Sequence, residues 1–205
     1  MTGDEREEKL AAIVERMMKL TDDPLADEGT RMVIYRGNPR AKLMVVGEAP
    51  GPRENEQGQP FVGPSGKLLD QILGSVHFDS NQDVFVTNAV FRMPPGTGGR
   101  SVRKPVTKEI DYYKPYLMEI INLIDPRVIL LTGAVSMQSI LNETKTGITK
   151  MRGQWHEIDG RWVMPIFHPA YLLRNPSKEP GSPKSLMWQD IQEVRRKFDE
   201  PESGG

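Results

Sequence analysis

The stretch that decides the fold of this chain is residues 43–69, LMVVGEAPGPRENEQGQPFVGPSGKLL. Its first residues, 43–46, form an apolar run that predicts a buried strand. A long loop rich in glycine and proline follows, and a helix is expected from about Ser65. Open α/β sheets place their ligand sites in such loops, at the carboxyl ends of parallel strands. We therefore expect a functional site in the loop that follows this strand.

The rest of the chain predicts strands that alternate with helices. Three further buried strands are expected, over 83–90, 127–132 and 161–167, with a short β segment over 31–35. Helices are expected over 5–20, 107–124, 135–141 and 185–198. This alternation predicts an α/β fold, a three-layer α/β/α sandwich with a central four-stranded, mainly parallel sheet. Residues 1–200 are expected to form a single domain and residues 201–205 a disordered tail.

Composition narrows the classes of function. The chain has 205 residues and a net charge of −1, with 37% apolar and 27% charged residues, as expected of a globular protein with a sizeable core. Cysteine is absent, which excludes disulfides, thiolate metal sites and thiol nucleophiles. No apolar run is long enough to span a membrane and no signal peptide is evident, so we expect a cytoplasmic protein without membrane partners.

One segment has a strongly basic character despite the overall charge. Residues 87–106 carry Arg92, Arg100, Arg103 and Lys104 and no acidic residue. Because contact with phosphates is a local electrostatic effect, this segment indicates a nucleic-acid partner.

Two other motifs are excluded by their spacing. The sequence PSGKLL is similar to the end of a P-loop, but Phe61 stands where the first glycine is required and Leu68 where Ser or Thr is required. The three histidines are scattered and have no carboxylate at a metal-ligand spacing, so no metal site is predicted.

Side chains of complementary chemistry fall at the carboxyl ends of the predicted strands. Glu48 follows the first strand, Asn88 lies near the end of the second and His168 follows the fourth, while Glu54 and Phe61 lie in the long loop. Each of them alone has an ordinary structural interpretation, as a core, turn or solvated residue. Together they suit cleavage of an N-glycosidic bond in a nucleotide flipped out of DNA. An aromatic ring stacks on the base, an amide binds its edge, an imidazole stabilises charge at a pyrimidine O2, and a carboxylate orients water or balances charge on the sugar.

Four motifs in this order carry a resemblance to a known family: GEAPG (47–51), GQPFVGPSGKLL (58–69), TNAVFRMPP (87–95) and HPAYLLRNP (168–176). The chain resembles the uracil-DNA glycosylase superfamily, most closely its family 4. The resemblance implies that Glu48, Glu54 and His168 are catalytic and that Phe61, Asn88, Ala49 and Gly51 bind the base. It implies DNA contacts by Ser65, Lys67, Arg100, Arg103, Lys104, Tyr171, Leu172, Leu173 and Arg174. The last three are wedge candidates that enter the minor groove.

The chain departs from that family at several positions. Family 4 members usually carry a [4Fe–4S] cluster on four cysteines, but Arg92 and Tyr113 stand where two ligands are expected and the N-terminal pair is missing. No cofactor is therefore expected, and packing by Tyr112, Tyr113 and Tyr116 is a candidate replacement. The long loop after Pro95 matches relatives that cross-link to the abasic sugar through a histidine, but no histidine is present there, so we expect turnover.

The identity of the base stays open at this point. Gly51 stands where another branch has a tyrosine that shields the pyrimidine C5, so Glu54 is the remaining candidate guard. The leading hypothesis is a monomeric, monofunctional glycosylase that removes uracil and leaves an abasic site. One alternative is a glycosylase for C5-modified phage pyrimidines, with a role in antiphage defence. The other is a DNA-binding protein of this fold without catalysis.

Overall fold

A mixed six-stranded sheet forms the centre of the computed structural model, which describes residues 3–96 and 102–201. The strands are β1 (Tyr35–Gly37), β2 (Leu43–Gly47), β3 (Val84–Asn88), β4 (Val128–Thr132), β5 (His156–Ile158) and β6 (Arg161–Ile166). They lie in the order β1-β3-β2-β4-β6-β5. The inner four are parallel, and β1 and β5 pair antiparallel at the two edges. The carboxyl ends of the inner strands therefore share one edge of the sheet.

Helices cover both faces of the sheet. They are α1 (Gly3–Met18), α2 (Pro52–Gln57), α3 (Pro64–Gly74), α4 (Thr107–Ile124), α5 (Ala134–Leu141), α6 (Ile148–Met151), α7 (Pro169–Arg174) and α8 (Pro183–Asp199). Alternate residues of β2 point to opposite faces. Met44 and Val46 pack in a core with α1, α4 and α5, whereas Leu43 and Val45 pack in a second core with α3, α7 and α8. No helix in the described ranges is long and apolar enough to cross a bilayer.

The predicted three-layer α/β/α architecture is confirmed, and the four predicted strands are the four parallel ones. The sheet has six strands rather than four, because two edge strands of three residues each were not predicted as such. The β segment expected over 31–35 pairs instead at Tyr35–Gly37, because the N–H of the preceding Val33 bonds the carbonyl of Phe91, which lies beyond the end of β3. Apart from Pro201, the predicted tail lies outside the described residues.

Two short helices were not predicted, one in the long loop after β2 and one directly after β6. In the long loop, α2 begins with a proline and ends where Gly58 adopts the left-handed conformation (φ 77°), a common helix terminus. After β6, Pro169 likewise begins the short helix α7, for which His168 is the N-cap. These short helices set the directions of the side chains that face the sheet edge.

Candidate active site

A cavity of about 250 Å³ opens at the carboxyl ends of β2, β3 and β6. Seven of the residues predicted from the sequence line it: Ala49, Gly51, Glu54, Phe61, Ser65, Asn88 and His168. The remaining lining residues are Pro52, Gly63 and Pro64. The parallel topology brings these segments together because each follows a strand that ends at the same edge.

Phe61 forms one wall of the cavity and is held in a strained backbone conformation. Its φ is +56°, a left-handed value that is rare for an aromatic residue and is typical of functional sites. The ring is 7% exposed and lies 5.9 Å from the His168 ring, centroid to centroid, at an angle of 25°. Helix α3 approaches so closely that a Cβ at Gly66 would overlap the Phe61 carbonyl. The backbone therefore fixes where this aromatic face stands.

Asn88 presents a free amide to the same cavity. It is the last residue of β3, its backbone pairs with Gly47 of β2, and it is only 2% exposed. A Cβ at Gly47 would overlap Asn88 Oδ1 and come within 2.5 Å of Phe61 Cε2. Among the described residues the amide has no hydrogen-bond partner, so both its donor and its acceptor are available to a ligand. Sequence reasoning missed Gly47 and Gly66, since only the close approach of other segments reveals their roles.

His168 is a neutral imidazole with a defined tautomer. Its Nδ1 accepts a hydrogen bond from the backbone N–H of Ala170 at 3.1 Å, which places the proton on Nε2. Burial, together with the nearby charge of Arg174, lowers its pKa to about 4, and Glu54 opposes this shift. At neutral pH, His168 is therefore an uncharged N–H donor at the wall of the cavity.

Glu54 holds the cavity wall in place. Its carboxylate accepts hydrogen bonds from the backbone N–H groups of Gly51 (3.2 Å), Val62 (2.9 Å) and Gly63 (2.7 Å). These bonds join the first turn of α2 to the segment that carries Phe61. The geometry gives Glu54 a positioning role, and direct participation in catalysis stays a prediction for this residue.

Glu48 lies on the other side of His168, in a second cavity of about 430 Å³. Ala49 and His168 line both cavities and so form the partition between them. Burial raises the pKa of Glu48, and Lys104 in the same cavity opposes that shift. Glu48 therefore lies beside the first cavity rather than in it.

The residues predicted to contact DNA divide into two groups. Tyr171 and Leu173 are exposed on α7, and Lys104 and Arg174 line the second cavity without an ion pair to any described residue. Ser65 lines the first cavity, and Lys67 is exposed on the first turns of α3. These side chains are accessible to a DNA strand.

One of the predicted DNA contacts needs correction, and a second is already paired within the protein. Leu172 is 1% exposed and packs in the core beneath α7, so it is not available as a wedge. Arg103 binds both carboxylate oxygens of Glu109 (2.9 and 2.6 Å), which commits its guanidinium to a pair within the protein. Arg100 lies outside the described residues.

The two positions where the family resemblance places cluster ligands, Arg92 and Tyr113, both bond to the carboxylate of Asp23. The carboxylate of Asp23 accepts bonds from Arg92 Nε (2.6 Å), the Tyr113 hydroxyl (2.6 Å) and the Leu25 N–H (2.9 Å). Arg92 also donates to the Thr30 carbonyl. These residues offer no thiolate and do not fit an iron–sulfur cluster. No group of three or more His, Asp or Glu side chains within the described residues is arranged to hold a metal ion.

The aromatic packing expected around this position is present. Tyr113 is fully buried, and its ring packs edge to face against Phe91 and Tyr112, with centroids 5.5 and 5.1 Å apart. Burial, followed by the bond to Asp23, raises the pKa of Tyr113 far above its ordinary value, so the hydroxyl keeps its proton and remains a donor. The predicted replacement thus includes an ion pair as well as aromatic rings.

Comparison with known proteins agrees with the geometry. The family model of the uracil DNA glycosylase superfamily matches residues 34–192. A type-4 uracil-DNA glycosylase of Thermotoga maritima is 35% identical over 193 residues, which cover 93% of this chain and 95% of the relative. Type-4 enzymes of Sulfurisphaera tokodaii and Archaeoglobus fulgidus are 35% and 34% identical, over 81% and 82% of this chain and 74% and 85% of their own lengths. The resemblance inferred from the four motifs is thereby confirmed, and the chain belongs to the uracil DNA glycosylase superfamily.

Proposed function

We propose that this protein is a monofunctional uracil-DNA glycosylase that flips a uracil out of DNA and hydrolyses its N-glycosidic bond, leaving an abasic site. The observation that carries this proposal is the convergence of three groups on one cavity. Phe61 supplies an aromatic face, Asn88 an unpaired amide and His168 a neutral N–H donor. Membership of the superfamily and the names of the relatives support the same reaction.

The site binds the base before it cleaves the bond. A base that leaves the stack enters the 250 Å³ cavity, here named the base cavity, and stacks on Phe61. The Asn88 amide then bonds the Watson–Crick edge through one donor and one acceptor. Gly47 permits this arrangement, because any side chain there would displace both groups.

The His168 imidazole stabilises the leaving base. As the C1′–N1 bond breaks, its electron pair moves onto the pyrimidine and negative charge develops at O2. The Nε2–H of His168 donates to that oxygen, in the manner of an oxyanion donor. A donor with a pKa of about 4 stays neutral, so it stabilises the charge without itself carrying a charge into the buried site.

The cationic sugar and the attacking water belong on the Glu48 side of the partition. In this proposal the Glu48 carboxylate, which shares the second cavity with Ala49 and His168, offsets positive charge on the sugar or orients the water that adds to C1′ and accepts a proton from it. Lys104 and Arg174 in the same cavity bind the flanking phosphates in this proposal, and Tyr171 and Leu173 enter the space left by the flipped nucleotide. The N-terminal turn of α3, with Ser65 and Lys67, binds a further phosphate.

We infer that residues 1–200 act as one domain, because one sheet carries the cavity at its edge, and as a monomer, because the lining of that cavity is complete without a second copy. We also propose that the protein acts in the cytoplasm, the compartment that holds the DNA of a cell without a nucleus.

The test is uracil release from single- and double-stranded oligonucleotides, followed by alkali to cleave abasic sites. His168→Ala and Asn88→Ala should each reduce the rate by roughly 100-fold or more while thermal unfolding stays cooperative. Met18→Ala, at an exposed site on α1, is the control and should keep the wild-type rate. Wild-type rates in both site variants would show that the site is wrongly assigned.

The same assay separates the alternative functions. DNA with C5-modified pyrimidines is included because backbone at Gly51 and Gly63, rather than an aromatic side chain, lines part of the cavity. Cleavage only in that DNA would support the modified-base alternative. Binding without any alkali-labile site would support the non-catalytic one.

A further inference from the structure

An apolar groove lies open between α3 and α8, outside the base cavity. It encloses about 380 Å³, and its apolar lining consists of Leu68, Ile72, Leu172, Met187, Trp188 and Ile191. Trp188 stands at the rim with 46% of its surface exposed. A contiguous apolar groove with an exposed aromatic side chain is a feature that marks binding surfaces.

The polar residues of the groove give it a positive character. Lys178 and Lys184 line it, and neither makes an ion pair with any described residue. No described acidic residue lines the groove. Its chemistry therefore complements a ligand that has both an apolar surface and negative charge.

The groove lies near the base cavity along α3 and α7, although the two have no lining residue in common. On α3, Ser65 lines the cavity and Leu68 lines the groove. At α7, the N-cap His168 lines the cavity and Leu172 lines the groove. Three or four helical residues span only about 4.5–6 Å along a helix axis. A strand with one base in the cavity thus has its neighbouring nucleotides close to the groove.

We propose that this groove binds an unstacked base of the single strand that flanks the flipped nucleotide, an inference that rests on the proposed function. Trp188 is the stacking platform, and Lys178 and Lys184 contact the adjacent phosphates. Aromatic side chains beside unpaired cations are how proteins hold single-stranded DNA without reading its sequence. The closeness of the base cavity, together with the two unpaired lysines, favours DNA over an acidic peptide.

Binding is tested with uracil-free oligothymidylate of roughly twelve nucleotides. Trp188 is the exposed one of the three tryptophans, while Trp155 and Trp162 are partly buried and pack on each other 6.3 Å apart. We expect the oligonucleotide to quench the fluorescence of the wild-type protein. Trp188→Phe should lose this quenching but keep its affinity, whereas Trp188→Ala should bind about 5- to 150-fold more weakly, the range for loss of one stacked base.

Kinetics give a second readout. On long single-stranded substrates, Trp188→Ala should raise KM and leave kcat unchanged, and Trp188→Phe should restore KM. On a duplex substrate, in which the flanking bases stay paired and stacked, the variant should match the wild type. Lys178→Ala and Lys184→Ala should each reduce the salt dependence of binding by about one phosphate contact. Met18→Ala serves as the matched exposed apolar control.

An unchanged affinity and KM in Trp188→Ala on single-stranded DNA would overturn the proposal. Quenching by an acidic, apolar peptide but not by oligothymidylate would also overturn it and would identify a peptide site. Failure of the proposed function has a different signature, because the wild type would then release no uracil while oligothymidylate still quenched Trp188.

Discussion

Replacement of Asp23 by alanine should destabilise this protein strongly. The Asp23 side chain is fully buried, and its partner Arg92 is 13% exposed. The substitution removes three hydrogen bonds at once and leaves the guanidinium with the Thr30 carbonyl as its remaining partner. Breaking one side of a buried pair costs about 3–5 kcal/mol, mostly because the other charge stays buried without compensation.

The assay is equilibrium unfolding in urea, with thermal unfolding beside it. For a chain of this size, that loss corresponds to a fall in Tm of roughly 6–20 °C. Asp22→Ala is the matched control, since the neighbouring Asp22 is exposed and accepts a bond from the Tyr112 hydroxyl at 2.8 Å. Its removal should cost less than about 1 kcal/mol.

A double-mutant cycle locates the effect. Arg92→Ala in the Asp23→Ala background should cost far less than Arg92→Ala alone, because the two side chains act as a pair. Equal losses of stability for the Asp23 and Asp22 variants, or additive effects in the cycle, would refute the view that this pair holds the N-terminal segment in the absence of a cluster.

Three further predictions concern the site. The pKa of His168 is about 4 in the folded protein against an ordinary value of 6.5, so the unfolded chain takes up the proton first as the pH falls. The contribution of His168 to the free energy of unfolding is therefore complete above pH 6.5 and is lost as the pH drops towards 4. Urea unfolding of His168→Gln should lack this pH-dependent contribution. Gly47→Ala should reduce kcat/KM by about 100-fold or more, because its Cβ displaces the base-reading groups, whereas Gly74→Ala, with open space around its Cβ, should not. Lys104→Ala should weaken DNA binding and reduce its salt dependence. Arg103→Ala should lower the free energy of unfolding and leave the salt dependence of binding unchanged, because Arg103 is paired with Glu109. A reduced salt dependence in Arg103→Ala would instead show that Arg103 contacts a phosphate.

The inner strands could be predicted because their apolar runs are buried on both faces. Residues 43–46 show this, since alternate side chains enter the two cores on opposite sides of the sheet. The edge strands β1 and β5 have three residues each and are only partly buried, so no periodic pattern identifies them. Their pairing is decided by the neighbouring strand.

The base cavity was predicted in part because of the topology of the sheet. Asn88 ends β3, His168 follows β6 and the motif around Phe61 follows β2. Because these parallel strands end at one edge, the three residues come close together. The long-loop helix α2 escaped prediction because it has only six residues, without an apolar periodicity. The role of Glu54 in joining α2 to the Phe61 segment escaped with it.

The sequence by itself determined the fold class, the family and the set of side chains at the sheet edge, because these depend on residue type and order along the chain. The tertiary structure decided the surroundings, the burial and the bonding partners of individual side chains. It placed Glu48 and Glu54 in different surroundings, buried Leu172 while exposing Leu173, and joined Asp23 to Arg92 across 69 positions. Such outcomes depend on distances between segments remote in the chain, and packing alone sets those distances.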